Sequence, residues 1–211
     1  MSNLNLLSQL DVEFAPEALV SFERLVKELL RWNRSRNLTA ITDPDEVVEK
    51  HLYDSLTLLP FIRHAKRLLD IGSGAGFPSL PLKIACPDLD VVSVDSAGKK
   101  IDFQRHMVRL LKLQNFNPVH GRIEELNRHE MCRDGFDLVT ARALCALDEL
   151  VALAEPFLLP GGHLVAMKGP EGEQELAAIQ KKLVENGWEV SLQRLSLPRS
   201  GASRYLIILT R

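Results

Sequence analysis

Cysteine is scarce in this 211-residue chain. There are three, Cys86, Cys132 and Cys145, and no two share a C-x-x-C spacing. That argues against a disulfide framework or a thiolate zinc site, and free thiols in a reducing cytosol are the expectation. Long hydrophobic runs are also missing. No stretch reaches the ~18 apolar residues of a membrane span, and the first eleven residues hold no basic segment followed by an apolar run. A cytoplasmic protein with no membrane partner is therefore expected. An excess of one charge is lacking as well: 26 Lys and Arg face 28 Asp and Glu, a net charge of -2. Bulk charge cannot hold nucleic acid on such a chain, although a local basic face can. Repeats and low-complexity segments are absent. What is present, 45% hydrophobic and 26% charged residues, suits a globular protein with a full core.

The pattern changes near Leu68. Before it, the chain reads as helix. Residues 16–34 carry Leu19, Phe22, Val26, Leu29 and Leu30 as a helical stripe. A second helix is expected from Asp43 as N-cap, with Pro44 in its first turn, Glu46 completing a capping box and Pro60 ending it. After Leu68, apolar runs of strand length cover residues 67–71, 90–95, 117–120, 137–141, 163–167, 189–195 and 204–210. Helical segments at 78–85, 99–113, 147–157 and 172–186 fall between most of them. Such alternation predicts an α/β fold with a mostly parallel seven-stranded sheet. The last two runs are joined only by Pro198-Arg199-Ser200-Gly201-Ala202, so they are expected to pair as a C-terminal antiparallel hairpin. The expected division is a helical extension, 1–64, packed on a core, 65–211.

The first strand runs straight into Asp70-Ile71-Gly72-Ser73-Gly74-Ala75-Gly76-Phe77, with a helix opening near Pro78. Glycine is needed where backbone adopts φ > 0 or approaches a ligand without a Cβ between. The G-x-G-x-G spacing differs from the G-x-G-x-x-G of a dinucleotide pyrophosphate site. An acid beside the loop, Asp70, is ill placed for a phosphate and well placed for a cation. S-adenosylmethionine has no phosphate, and it carries an ammonium and a sulfonium. Asp95 ends the second strand 23 residues beyond Gly72, near the ~20-residue interval at which an acid takes ribose hydroxyls in nucleotide-binding sheets. Together these predict a Rossmann-like class I S-adenosylmethionine methyltransferase. The cofactor contacts expected are Asp70, Gly72, Gly74, Gly76 and Asp95. Ligands in open α/β sheets lie beyond the carboxyl ends of the strands. Ile123 is thus a candidate to flank the adenine, and Glu124 to accept its amino group or to hold Arg122. Arg142 is a candidate to line the cleft. The plain alternatives are a helix N-terminal acid for Glu124 and a surface ion pair for Arg142.

Several segments resemble one family: the bacterial small-subunit (16S) ribosomal RNA guanine-N7 methyltransferases, the glucose-inhibited division protein B family. They are Asn37-Leu38-Thr39-Ala40-Ile41, His51-Leu52-Tyr53-Asp54-Ser55-Leu56, Asp70 through Pro78, Asp95-Ser96 with Lys99-Lys100, Gly121-Arg122-Ile123-Glu124, Asp137 through Ala143, and Lys168-Gly169. The resemblance implies methyl transfer to N7 of a guanine in the small-subunit RNA. It also implies Gly72, Phe77, Ile123, Glu124 and Arg142 as cofactor contacts. Ser79 departs from the pattern, standing where the family usually has glycine; a small residue is kept, so little change is expected.

The chemistry agrees with that expectation. Transfer from a sulfonium is an in-line displacement governed by alignment. Guanine N7 offers a free lone pair and needs no base. Carbon-5 pyrimidine methylation needs a nucleophilic cysteine in a motif that none of the three cysteines shows. Methylated guanine carries positive charge, which a nearby acid would stabilise. Arg142, Asp54 and His51 are the candidates for catalysis, with His51 and Asp54 three residues apart on one helix face. Asp54 holding His51 or a helix N-terminus, and His51 making a structural hydrogen bond, are the alternatives. For RNA, Arg24, Lys27, Arg31 and Arg34 form a stripe that Arg36 extends, unless it is a solvated face balanced by Glu23 and Glu28. Arg31, Arg34, Arg36, Asn37, Lys168, Arg199 and Arg204 are the expected RNA contacts. The expected partner is 16S ribosomal RNA or the small ribosomal subunit, bound by a monomer without a metal. A methyltransferase for small molecules or proteins, and a non-catalytic nucleotide sensor on the same fold, are the competing readings.

Overall fold

A computed structural model describes residues 4–211, with the backbone alone at 127 and 128; residues 1–3 of the expected extension lie outside the described residues. The sheet contains β1 (Arg67–Ile71), β2 (Asp90–Asp95), β3 (Phe116–His120), β4 (Phe136–Arg142), β5 (Leu158–Lys168), β6 (Glu189–Ser196) and β7 (Ser203–Thr210). Their order across the sheet is β3-β2-β1-β4-β5-β7-β6. The first five strands are parallel, and β7 lies antiparallel between β5 and β6. The expected fold and terminal hairpin are therefore present.

Among the described residues, eight α-helical segments accompany the strands: α1 (Pro16–Arg36), α2 (Pro44–Val47), α3 (Asp54–Leu56), α4 (Leu59–Ile62), α5 (Ser79–Ala85), α6 (Gly98–Leu111), α7 (Leu147–Ala154) and α8 (Gly172–Glu185). Strand side chains alternate between faces. Leu68, Val91, Leu138 and Val165 join the apolar cluster that contains Phe22, Leu25 and Leu29 of α1 with Leu80 and Phe103. Leu69, Val92, Val139 and Leu164 join a second cluster with Leu150 of α7 and Leu176 of α8. Both faces are thus covered, which is why the central strands read as continuous apolar runs. Pro118 is tolerated because β3 is an edge strand. Among the described residues, no helix is long and apolar enough to cross a membrane.

The second helix differs from its expectation. Asp43 does cap it, with Oδ1 accepting from the Asp45 and Glu46 N–H groups at 3.0 and 2.9 Å. Glu46, however, takes Lys50 Nζ at 2.7 Å, so the box is not closed. Between α2 and α3 the chain winds as a π-helix over Val48–Tyr53. Pro60 falls in the first turn of α4 instead of ending a helix, a place where its missing N–H leaves no bond unmade.

Candidate active site

Gly72, Asp95, Gly121, Arg142 and Lys168 follow or end β1 to β5, and all five line one cleft of ≈ 880 Å³ at the carboxyl ends of the strands. Its centre is the reversal of strand order between β1 and β4, where open α/β sheets bind ligands. The glycine loop forms one wall. Gly72 has φ +67°, and a Cβ there would meet Leu144 Cδ1 at 2.5 Å. Gly74 donates its N–H to Asp95 Oδ2 at 2.8 Å, and Ala97 donates to Oδ1 at 2.8 Å. Asp95 is thus held in place at the mouth of the loop with lone pairs left over. Gln104, not foreseen from the sequence, staples the loop from α6. Its Nε2 donates to Ser73 Oγ and to the Gly74 carbonyl, both at 2.8 Å, while Ser93 Oγ donates to its Oε1 at 2.6 Å. Phe77, Ile123 and Glu124 also line the cleft.

Two expected contacts lie elsewhere. Asp70 is fully buried beneath the loop and outside the cleft lining, where its Oδ2 accepts the Ser79 N–H at 3.2 Å. Alternation along β1 puts it on the face of Leu68, under α5. Burial pushes its carboxyl up to about 6, against the Ser79 hydrogen bonds, and its Oδ1 has no hydrogen-bond partner among the described residues. Gly76 (φ +88°) is likewise outside the lining; a Cβ there would stand 2.5 Å from Leu80 Cδ1, so it serves packing. Ser79, the departure from the family pattern, is fully buried.

Opposite the loop, Arg142 gathers the candidates for catalysis. Its Nη1 donates to the Lys50 carbonyl at 2.8 Å and lies 3.5 Å from Asp54 Oδ2; its Nη2 donates to His51 Nδ1 at 3.1 Å. The π turn explains the first bond. The Asp54 N–H reaches back five residues to Glu49 instead of four to Lys50, and the Lys50 carbonyl turns to the guanidinium. The His51 ring stacks on Phe77, with centroids 5.0 Å apart and planes at 26°. Burial, then the Arg142 charge, push the imidazole down to about 3, so His51 is neutral near pH 7. A guanidinium can only donate, so Nδ1 is the acceptor and Nε2 bears the hydrogen, which goes to Thr39 Oγ1 at 2.8 Å. Asp54 lies between Arg142 and Arg204, whose Nε is 3.3 Å away; burial raises its carboxyl and both guanidiniums oppose the rise. Ala143, the next residue after Arg142, has φ +50°, a strained conformation at the cleft edge. Asn33 is a second residue the sequence did not reveal. Its Oδ1 accepts from the Leu38 and Thr39 N–H groups at 2.7 and 2.9 Å, and its Nδ2 donates to the Thr39 carbonyl at 2.9 Å. It pins the segment that carries Thr39 into the cleft.

The expected RNA contacts separate by environment. Lys168 is buried, and its ammonium is held by the Cys145 carbonyl and Glu175, each at 2.6 Å, so it fixes the loop after β4 and is not free to reach a phosphate. Arg204 lines the cleft against Asp54. Arg199 pairs with Asp45 at 3.0 Å, and Arg31 pairs with Glu28 at 2.6 Å. Arg34 and Arg36 are exposed, and neither pairs with a carboxylate among the described residues. Asn37, in the left-handed conformation at φ 48°, ends α1 beside them.

Comparison with known proteins bears on this cleft. The model of the family described as GidB, rRNA small subunit methyltransferase G, matches residues 18–199. A ribosomal RNA small subunit methyltransferase G of Syntrophotalea carbinolica is 53% identical over 87% of this chain and 85% of its own length. Its counterpart in Geobacter sp. is 43% identical over 97% and 94%. Among solved structures, an O-methyltransferase from Bacillus cereus in complex with SAH superposes with a TM-score of 0.67 at 14% identity, covering 97% of this chain and 95% of that one. At that identity the likeness is one of fold alone.

Proposed function

Since the chain belongs to the GidB family, rRNA small subunit methyltransferase G, we propose that it transfers a methyl group from S-adenosylmethionine to N7 of a guanine in 16S ribosomal RNA. The observation that carries this reading is that the cleft holds its best candidate base in a spent state. His51 is neutral, its Nδ1 lone pair is taken by Arg142, and its Nε2 hydrogen is given to Thr39. A site so arranged aligns reactants without removing a proton, which suits a nucleophile with a free lone pair.

The residues fit the cofactor. S-adenosylmethionine supplies an activated methyl group on a sulfonium. The cleft has the size of a ligand site. The glycine loop would give close backbone approach, Asp95 would offer a carboxylate to ribose hydroxyls, and Ile123 with Glu124, also in the lining, would hold the adenine end. The unpartnered carboxylate oxygen of Asp70 adds negative potential beneath the loop for a cationic ligand. Arg142 orders His51 and Asp54, and Asp54 is the acid available to the charge that develops on the purine. Residues 1–64 act as an extension on the cofactor-binding core, 65–211, and the chain works as a cytoplasmic monomer without a metal.

The test offers labelled cofactor with purified small subunits, free 16S RNA, a protein mixture and small-molecule acceptors. Label released from RNA as 7-methylguanosine is expected. Label confined to protein or small molecules would overturn the reading, and cofactor binding without any transfer would favour a sensor.

A further inference from the structure

Thr39 has a proton with nowhere to go inside the protein. Its Oγ1 accepts the Nε2 hydrogen of His51 at 2.8 Å and the N–H of Ile41 at 3.1 Å. The first assignment follows from the donor-only guanidinium: Nδ1 of the same ring accepts from Arg142, and a neutral imidazole carries one hydrogen. Two accepted bonds fill both lone pairs of the hydroxyl. Only its own O–H remains, and no acceptor among the described residues takes it. The residue lines the cleft, with its backbone locked on both sides by Asn33. The chain of bonds Arg142 to His51 to Thr39 thus converts an ordinary hydroxyl, which can both give and take, into a donor only.

We infer that the Thr39 hydroxyl donates to the 6-oxygen of the target guanine and selects guanine over adenine, an inference that rests on the N7 reading above. On the edge that exposes N7, guanine presents a second acceptor, O6, whereas adenine presents the N6 amino donor. A group able only to donate pairs with the first and is left facing another donor by the second. The same bond would set the base with N7 forward.

The test places 2-aminopurine, which keeps N7 and lacks O6, at the methylated position of otherwise natural small-subunit RNA. Wild type is expected to prefer guanine over 2-aminopurine by about tenfold in kcat/KM beyond their intrinsic N7 reactivities, the size of one neutral hydrogen bond. Thr39→Val should lose that preference, Thr39→Ser should keep it, and both should bind S-adenosylhomocysteine like wild type. Equal losses on the two RNAs in Thr39→Val would overturn the inference while leaving N7 transfer intact. No transfer to RNA by wild type would overturn both. A readout independent of turnover is the ¹⁵N spectrum of the imidazole: Nε2 protonated and Nδ1 bare is expected for His51, and the opposite tautomer would remove the reason for a donor-only hydroxyl.

Discussion

Two substitutions test how the glycine loop is held. Asp70 has a folded pKa of about 6 against an ordinary 3.8, raised chiefly by burial. A raised carboxyl contributes stability that is fully present below 3.8 and is lost as pH rises through about 6. The full swing is about 3 kcal/mol, of which about half falls between pH 5 and 8. Urea unfolding should therefore show wild type losing about 1–2 kcal/mol relative to Asp70→Asn across that window. A pH-independent difference would mean that Asp70 is not buried as a lone acid. Gly76 tests packing. A Cβ there meets Leu80 at 2.5 Å and Gln104 Cγ at 3.2 Å, and Leu80 is fully buried and has nowhere to move. Gly187 has a similar φ, +84°, with nothing within 4 Å of its Cβ. Gly187→Ala should lose only the left-handed strain, about 1 kcal/mol, and Gly76→Ala a further ~1–3 kcal/mol from overpacking. Equal losses would show that strain alone sets these glycines.

At the scale of elements, the terminal hairpin reaches the cleft through a clamp. Glu49, 2% exposed on the π turn, accepts the N–H groups of Arg199 and, at 2.8 Å, Ser200. Burial alone would raise its carboxyl, but these hydrogen bonds outweigh it and leave the pKa below 4.5. The clamp is therefore complete at neutral pH and fails as pH falls through that lowered value. Glu49→Gln should speed hydrogen exchange at Arg199 and Ser200 by about tenfold, the loss of a charge-assisted bond; unchanged protection would refute the clamp. The same turn marks the limit of what the sequence revealed. Strands covered on both faces were legible because burial writes itself as apolar runs, and the cap at Asp43 because it is local. The π winding was not, since it answers to Arg142, 92 residues away from Lys50. Gln104 reads as an ordinary polar position on a helix for the same reason: its partners, Ser73 and the Gly74 carbonyl, come from the loop after β1. Asn33 has near partners, Leu38 and Thr39, but they meet it only through the turn that Asn37 makes in the left-handed conformation. Asp70 was misplaced for a different cause. Counting alternate residues back from the loop puts it on the α5 face, and nearness in sequence had suggested the cleft.

For the molecule as a whole, a net charge of -2 leaves RNA affinity to a few cations at the rim. Arg34 and Arg36 stand exposed at the end of α1, where Asn37 turns the chain into the segment that lines the cleft with Leu38 and Thr39. Neither pairs with a carboxylate among the described residues, whereas Arg31, one turn earlier, already pairs with Glu28. Each phosphate neutralised by a cation releases counterions, which gives about 0.7 to 0.9 units of slope in log affinity against log salt. Replacing Arg34 and Arg36 together by Ala should therefore lower the magnitude of that slope by about 1.4 to 1.8 in RNA-binding titrations. Arg31→Ala should change it far less, because a phosphate would have to displace Glu28. The contrast matters more than either value. Equal effects from all three positions would mean that RNA senses only a diffuse field. An effect from Arg34 and Arg36 alone would mean that the end of α1 delivers the strand to the cleft, with the target base directed toward Thr39.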